Sequence, residues 1–366
     1  MNAARFDGRR ADAIAAVEGA GLDGILVAPG PDLAYLTGHS PPPLERLTML
    51  VLAAGREPLL VVPSLERLLA ETAPGAEGLS IVDWRDARDD PYAIVAGAIG
   101  AGRFAITDHT WASHLLALQR TSTERTFVST GEVIPLLRAV KDGEEIGRLR
   151  AAGSAADAVF SEILAIGFEG RTEREVATDL ARMLQEHGHQ RAEFTIVGSG
   201  PNAASSHHDS GDRRIAAGDA VVMDFGGVMD QYCSDITRTV FVGEPSAEQR
   251  EVYDVVRAAQ QAAFEAVRPG VQAQEVDRAA RGVITEAGYG ERFVHRTGHG
   301  IGLEVHEAPY IVEGDTTALE PGMTFSDEPG IYLEGRFGVR IEDQVVVTAA
   351  GAERLNQASR DLTVVA

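Results

Sequence analysis

Residues 221–240, VVMDFGGVMDQYCSDITRTV, constrain this chain more than any other stretch. Two β-rich runs, 221–225 and 232–242, flank a centre containing Gly226 and Gly227, and the pattern predicts a β-hairpin. Asp224 and Asp235 lie at equal distances from the midpoint. Symmetric pairing would set them opposite each other, with Cβ atoms roughly 4.5–5.5 Å apart. Like charges so placed repel, so the hairpin should hold a cation between them. The other reading has Asp224 ending a strand and Asp235 capping a turn, and this stretch alone leaves both open.

A second hairpin is expected over 323–347, in GMTFSDEPGIYLEGRFGVRIEDQVVV, with its turn at 335–338. Glu328 and Glu342 are equidistant from Gly335 and can also face each other, with a bulge expected at Pro329-Gly330. Alternation puts Arg340 and Glu342 on one face and Val339 and Ile341 on the other. Alone, Glu342 reads as a solvated strand residue; two hairpins each presenting an acidic pair are harder to explain as surface decoration. Between them runs HRTGHGIGLEVHEAP, where Gly298, Gly300 and Gly302 surround His299 and let the backbone approach closely. There is no phosphate-binding Gly-Lys-Ser/Thr and no strand–helix context for a dinucleotide fingerprint. Tyr310 stands where a zincin helix needs its second histidine. His299 as a ligand, with His306 nearby, fits better. Four carboxylates and an imidazole suit Mn²⁺, Co²⁺, Fe²⁺ or Zn²⁺ rather than copper. Bridging carboxylates imply two ions about 3.5–4 Å apart that hold a hydroxide and a substrate carbonyl, which is hydrolytic chemistry.

The rest of the chain frames this site. Residues 1–135 alternate helical patterns with strands near 24–27, 47–53, 58–62 and 104–107, the mark of an α/β domain. His39, His109 and His114 there have no partner motif and read as structural or surface residues. Residues 136–366 run helix, helix, hairpin, twice over, with capping boxes at Thr172–Glu175 and Ser246–Gln249. This predicts a pseudo-duplicated α+β domain with helices on one face of an antiparallel sheet. The formal net charge of −22 argues against nucleic acid and against anionic membranes. The longest apolar run, 47–54, is far too short to span a bilayer. The N-terminal stretch from Met1 has no apolar signal segment, and the single cysteine, Cys233, fits a reducing compartment. The expectation is a cytoplasmic protein.

The motifs MDFG, YCSDITRT, HRTGHGIGLEVHE, EPGIY and GVRIED together resemble the M24-type "pita-bread" metallopeptidases, which include methionine aminopeptidase, aminopeptidase P and prolidase. The first domain resembles the creatinase/prolidase N-terminal domain. The resemblance implies a pita-bread catalytic domain behind an α/β creatinase-type domain. It also implies two divalent ions, Mn²⁺ with Co²⁺ or Zn²⁺ as alternatives, and cleavage of the bond before proline in Xaa-Pro dipeptides or at peptide N-termini by a metal-bridging hydroxide. Residue by residue, Asp235 and Glu342 would bridge the ions, Asp224 would hold one, and His299 and Glu328 would complete the other. Glu328 would also be the general base. His207, chosen over His208, and His306 would face the substrate, and Arg340 would bind substrate or fix the bridging carboxylates in a bidentate contact. A homodimer is implied, in which the N-terminal domain borders the partner's site. The stretch 83–86 could form that contact, or Trp84 could be a buried structural residue. Creatinase shares the fold without the metal set, whereas all five positions are filled here. The alternatives are a same-fold hydrolase with a non-proline substrate and a non-catalytic binding homologue.

Overall fold

Three capping boxes start the helices of the C-terminal half. In the computed structural model, which describes residues 3–366, the side chains of Asp142, Thr172 and Ser246 accept from backbone N–H groups at the starts of helices Gly143–Ile163, Glu173–Glu186 and Ala247–Ala266. Glu145, Glu175 and Gln249 return the bond to each cap's own N–H, satisfying donors that would otherwise be orphaned. A fourth helix spans Ala273–Glu286. Met1 and Asn2, at the head of the stretch read as lacking a signal segment, lie outside the described residues.

The chain forms two units, dividing between Arg138 and Ala139. In the first, six strands lie in the spatial order Ser80–Trp84, Leu59–Pro63, Met49–Ala53, Gly24–Val27, Gly102–Ile106 and Arg125–Ser129. The pairings are antiparallel around Met49–Ala53 and parallel towards both edges. The two edge strands escape sequence patterning, because SIVDW and RTFVS interleave polar residues with few apolar ones. Trp84 is 7% exposed and donates its indole N–H to the Leu47 carbonyl at 2.9 Å, so it is part of the core.

The second unit is two half-sheets, each backed by two helices. Strand Ala220–Met229 pairs with Arg191–Ser199 on one side and Ile236–Val242 on the other. Phe160, Ile163, Leu180, Met223, Ile236 and Val240 pack beneath it. The other half runs Glu307–Ile311, Gly298–Gly300, Thr324–Asp327, Asp343–Thr348 and Gly351–Arg354. It buries Phe325, Val339, Ile341 and Val345 against Val252, Val256, Val276 and Ile284. This repeated helix–helix–sheet arrangement is the pita-bread architecture.

Both hairpins form; the first differs from expectation in register, and the second keeps the expected register but lacks the expected bulge. Asp224 pairs with Thr237, not with Asp235, and Val228 pairs with Cys233. The turn is Asp230-Gln231, with φ of 49° and 72°, a two-residue turn of positive φ that matches strand twist without glycine. Gly226 and Gly227 serve close approach instead. A Cβ on Gly226 would lie 2.0 Å from the Ser234 carbonyl oxygen, and one on Gly227 2.5 Å from that of Arg191. A two-residue slip preserves side-chain parity, so Asp224 and Asp235 remain on one face as diagonal neighbours. In the second hairpin, Gly330 pairs with Arg340 and Asp327 with Asp343, an unchanged register across Pro329 with no residue bulged out. The ladder simply parts there. Glu328 N–H bonds the Thr297 carbonyl at 2.8 Å and Glu342 N–H bonds that of Thr237 at 3.0 Å.

The second of these bonds joins the two half-sheets. Arg238, 1% exposed, reinforces it with all five of its N–H donors. They reach the carbonyls of Thr237, Glu342, Ala358 and Ser359 and the Asp343 carboxylate, at 2.5–3.0 Å. Arg238→Lys keeps the charge but strands several acceptors, so urea denaturation should show a loss of roughly 3 kcal/mol or more. An unchanged midpoint would refute that role.

Candidate metal centre

One cavity of about 620 Å³ in the second unit is lined by Asp224, Asp235, His299, Glu328 and Glu342, and by His207, His306 and Arg340. All eight residues singled out from sequence therefore converge on one space. Ligand atoms of Asp235, His299 and Glu342 lie within 4.8 Å of one another. His299 Nε2 stands 3.7 Å from Asp235 Oδ2 and 3.4 Å from Glu328 Oε1. The other ring nitrogen, Nδ1, donates to the Gly300 carbonyl at 3.2 Å, which leaves the Nε2 lone pair facing the acids. The loop glycines explain this approach. A Cβ on Gly298 would sit 1.7 Å from the Ser326 carbonyl oxygen, and one on Gly300 2.4 Å from that of Ala308.

Arg340 organises the acids differently from the bidentate clasp expected. Its Nη2 donates to Asp224 Oδ2 at 2.5 Å, Nε to Thr237 Oγ1 at 3.0 Å and Nη1 to the Tyr332 hydroxyl at 2.8 Å. Thr237 Oγ1 donates in turn to Glu342 Oε2 at 2.5 Å. The fork is spread over these three and the Ser206 carbonyl, 3.4 Å from Nη1, because Tyr332 and Thr237 flank it on adjoining strands. The guanidinium thus fixes one acid directly and another through a hydroxyl. Asp224 Oδ1 remains buried with no hydrogen-bond partner among the described residues.

Several members of the site were not assigned from sequence. His295 Nδ1 donates to its neighbour's carbonyl at 2.7 Å, so its Nε2 accepts from the Tyr332 hydroxyl at 2.8 Å. Burial holds His295 neutral, down to about 3, and Arg340 adds to this. Phe194, Ile196 and Val305 supply an apolar wall, and Arg296 lies at the same cavity. His207 lines the space, whereas His208 turns away to Glu173 at 2.7 Å.

The electrostatics favour a cation. Burial pushes Asp235 well above the ordinary carboxylate range, and Glu342, Asp224 and Glu328 push it further. Glu342 rises for the same reason, burial first and then Glu328 and Asp224. Burial raises Glu328 to about 7 although Arg340 opposes it. His299 is held neutral by burial, and the nearby His306 adds to this. Clustered acids that resist ionisation, a neutral imidazole aimed at them and an unpartnered carboxylate oxygen are a donor set that fits divalent metal.

The comparisons with known proteins accord with this geometry. Residues 147–349 match the model of metallopeptidase family M24, and residues 9–140 that of the creatinase/prolidase N-terminal domain. The chain belongs to metallopeptidase family M24. It is 47% identical to a probable dipeptidase PepE of Mycobacterium tuberculosis, over 100% of this chain and 99% of that protein. It is 40% identical to an Xaa-Pro dipeptidase of Lactobacillus helveticus, over 91% of this chain and 92% of the relative. A crystal structure of prolidase from Thermococcus sibiricus superposes with a TM-score of 0.92 at 38% identity, covering 98% and 99% of the two chains. Membership makes this M24 protein a metallo-exopeptidase and sets aside the non-catalytic reading. Among the described residues no helix is long and apolar enough to cross a membrane.

The raised acids carry a stability consequence. Between the ordinary value of 4.5 and about 7, the folded, metal-free protein holds a proton on Glu328 that the unfolded chain has released. Stability therefore falls as pH rises through that window. Calorimetry on chelator-treated protein should show Tm decreasing by ~5 °C or more from pH 5 to pH 8. Added Mn²⁺ should raise Tm most at the alkaline end; a metal-free Tm that climbs with pH would contradict this.

Proposed function

We propose that this M24 enzyme binds two divalent ions and hydrolyses the bond before proline in Xaa-Pro dipeptides or at the N-terminus of Xaa-Pro peptides. The observation that carries the reading is the meeting of Asp235, His299 and Glu342 ligand atoms within 4.8 Å, in a cavity that Asp224 and Glu328 also line. Asp235 and Glu342 would be shared between the ions, Asp224, with its unpartnered Oδ1, would help hold one, and His299 with Glu328 would help hold the other. The oxygen-rich donor set supports Mn²⁺, with Co²⁺ or Zn²⁺ as alternatives. When bound, such ions activate a water and polarise the scissile carbonyl.

The side chains do the rest. Glu328, whose Oε1 lies 3.4 Å from His299 Nε2, can take a proton from the attacking water and pass it to the departing proline nitrogen. His306, lowered first by burial and then by Arg296, and His207 offer hydrogen bonds to the oxygen that gains charge. Arg340 keeps Asp224 and, through Thr237, Glu342 in place. Phe194, Ile196 and Val305 offer an apolar surface suited to the pyrrolidine ring. Asp235→Ala should remove stoichiometric metal and lower kcat/KM by at least ~10³. Metal analysis and Xaa-Pro hydrolysis with added Mn²⁺ test this, and full activity in the variant or in chelated protein would sink the proposal.

A second reading has a specific support: the Mycobacterium tuberculosis relative bears the name dipeptidase with no mention of proline. A hydrolase of the same site acting on other dipeptides would cleave Ala-Leu at least as well as Ala-Pro, and one substrate panel separates the two.

For the assembled state we propose a homodimer in the cytoplasm. Its support is an apolar face on the first unit, where Leu65, Leu68 and Leu69 are 69%, 71% and 63% exposed on consecutive turns. The buried single thiol of Cys233 agrees with a reducing compartment. Leu68→Glu should shift the sedimentation coefficient from dimer to monomer, and a monomeric wild type would dismiss the assembly.

A further inference from the structure

Two histidines stand side by side at 207 and 208, and only the first lines the cavity. The His207 ring makes no hydrogen bond among the described residues, so its aim is set by the loop that carries it. That loop, 200–211, follows strand Arg191–Ser199, and its base closes on a buried carboxylate that does not line the cavity. Glu173, 0% exposed at the start of helix Glu173–Glu186, accepts from the entry of the loop through Oε1. The donors there are Ser199 N–H at 2.8 Å, Ser199 Oγ at 2.7 Å and Asn202 Nδ2 at 3.0 Å. Through Oε2 it accepts from the exit, His208 Nε2 at 2.7 Å and Gly211 N–H at 3.3 Å. The backbone N–H groups of Glu173 and Arg174 add bonds to the carbonyls of Arg213 and Gly211, at 3.1 and 3.0 Å. Burial favours a protonated acid, but the bonds from Ser199, His208 and Asn202 outweigh it and hold Glu173 below its ordinary 4.5. An ionised carboxylate can accept from all these groups at once, because it offers about four lone-pair sites and no donor.

We propose that Glu173 is a positioning residue for the reaction: it ties the entry of the loop to its exit and so holds His207 at the oxygen that gains charge. The adjacent histidines divide the task. His208 is the anchor that fastens the loop to Glu173, and its neighbour is left to face the substrate. Free of this tie, the segment between Asn202 and Gly211 would sample many conformations, most with His207 misplaced. The proposal rests on the hydrolytic reading of the cavity but does not depend on proline.

The test is a double-mutant cycle on the Mn²⁺-loaded enzyme, with kcat and KM measured on Ala-Pro and Ala-Leu. Glu173→Gln keeps the shape but turns an N–H₂ group towards donors, and it should lower kcat by ~10- to 100-fold with little change in KM or in bound Mn²⁺. In a His207→Ala background the same substitution should cost less than ~2-fold further, because its effect is already spent. Equal losses in both backgrounds would overturn the assignment, since a merely structural role does not depend on His207, and so would loss of Mn²⁺ from Glu173→Gln. Should that variant fail to fold, His208→Leu cuts one tie at a half-buried position and should also lower kcat, while His208→Gln, which keeps a donor for the carboxylate, should restore most of it. Full kcat in His208→Leu, or no rescue by His208→Gln, would then overturn the proposal. Turnover of Ala-Leu without Ala-Pro would overturn the proline reading alone, and the cycle on Ala-Leu would still decide Glu173. A wild type that cleaves neither would overturn both.

Discussion

Everything at the centre of the catalytic half hangs on the seam between its two half-sheets. Thr237 and Glu342 meet there through a backbone bond and a side-chain bond. Each is tied to an acid of the site: Asp235 lies two residues before Thr237, and Glu342 is itself an acid. A slip at the seam would move the two proposed bridging carboxylates apart. Arg238 resists such a slip because its five donors grip both strands and the C-terminal segment together. Buried charge is stable only when its hydrogen bonds are complete, and here they are.

The seam also gathers charge that the folded chain would otherwise avoid. Asp235 and Glu342 are 3% and 2% exposed, and removing such acids from water disfavours their ionised forms. Arg340 relieves part of the strain at Asp224, but a single guanidinium cannot neutralise four carboxylates. Divalent cations can. The fold accommodates these acids where the hairpin ladder breaks: Glu328 and Glu342 sit between strands beside Pro329, and their N–H groups bond outward to Thr297 and Thr237 instead of across the hairpin. That parting opens the space for ligands to point inward.

Much of this was legible before any coordinates. Capping boxes, paired acidic hairpins and a glycine-flanked histidine pointed to the helices, the two half-sheets and the residues of one cavity. Parity explains why the hairpin argument located the acids despite a wrong register, since a slip of two residues leaves every side chain on its face. The turn itself was hidden because Asp230 and Gln231 adopt positive φ without glycine, while the visible Gly226-Gly227 pair answers to close backbone contacts on the neighbouring strands. Contacts spanning the chain had no local signal. Nothing near Arg238 announces Ser359, and nothing near His295 announces Tyr332. Edge strands such as Ser80–Trp84 lack the alternation that reveals a half-buried sheet.

The cavity's two arginines divide the work of charge. Arg340 is locked among Tyr332, Thr237 and Asp224, and His295 closes the chain behind Tyr332 as a neutral acceptor, so this arginine keeps its geometry whatever the substrate. Arg296 has only an aromatic face beneath it. Arg340 therefore belongs to the hydrogen-bonded architecture of the acids, while Arg296, stacked on Tyr310, reaches Glu328 only through space.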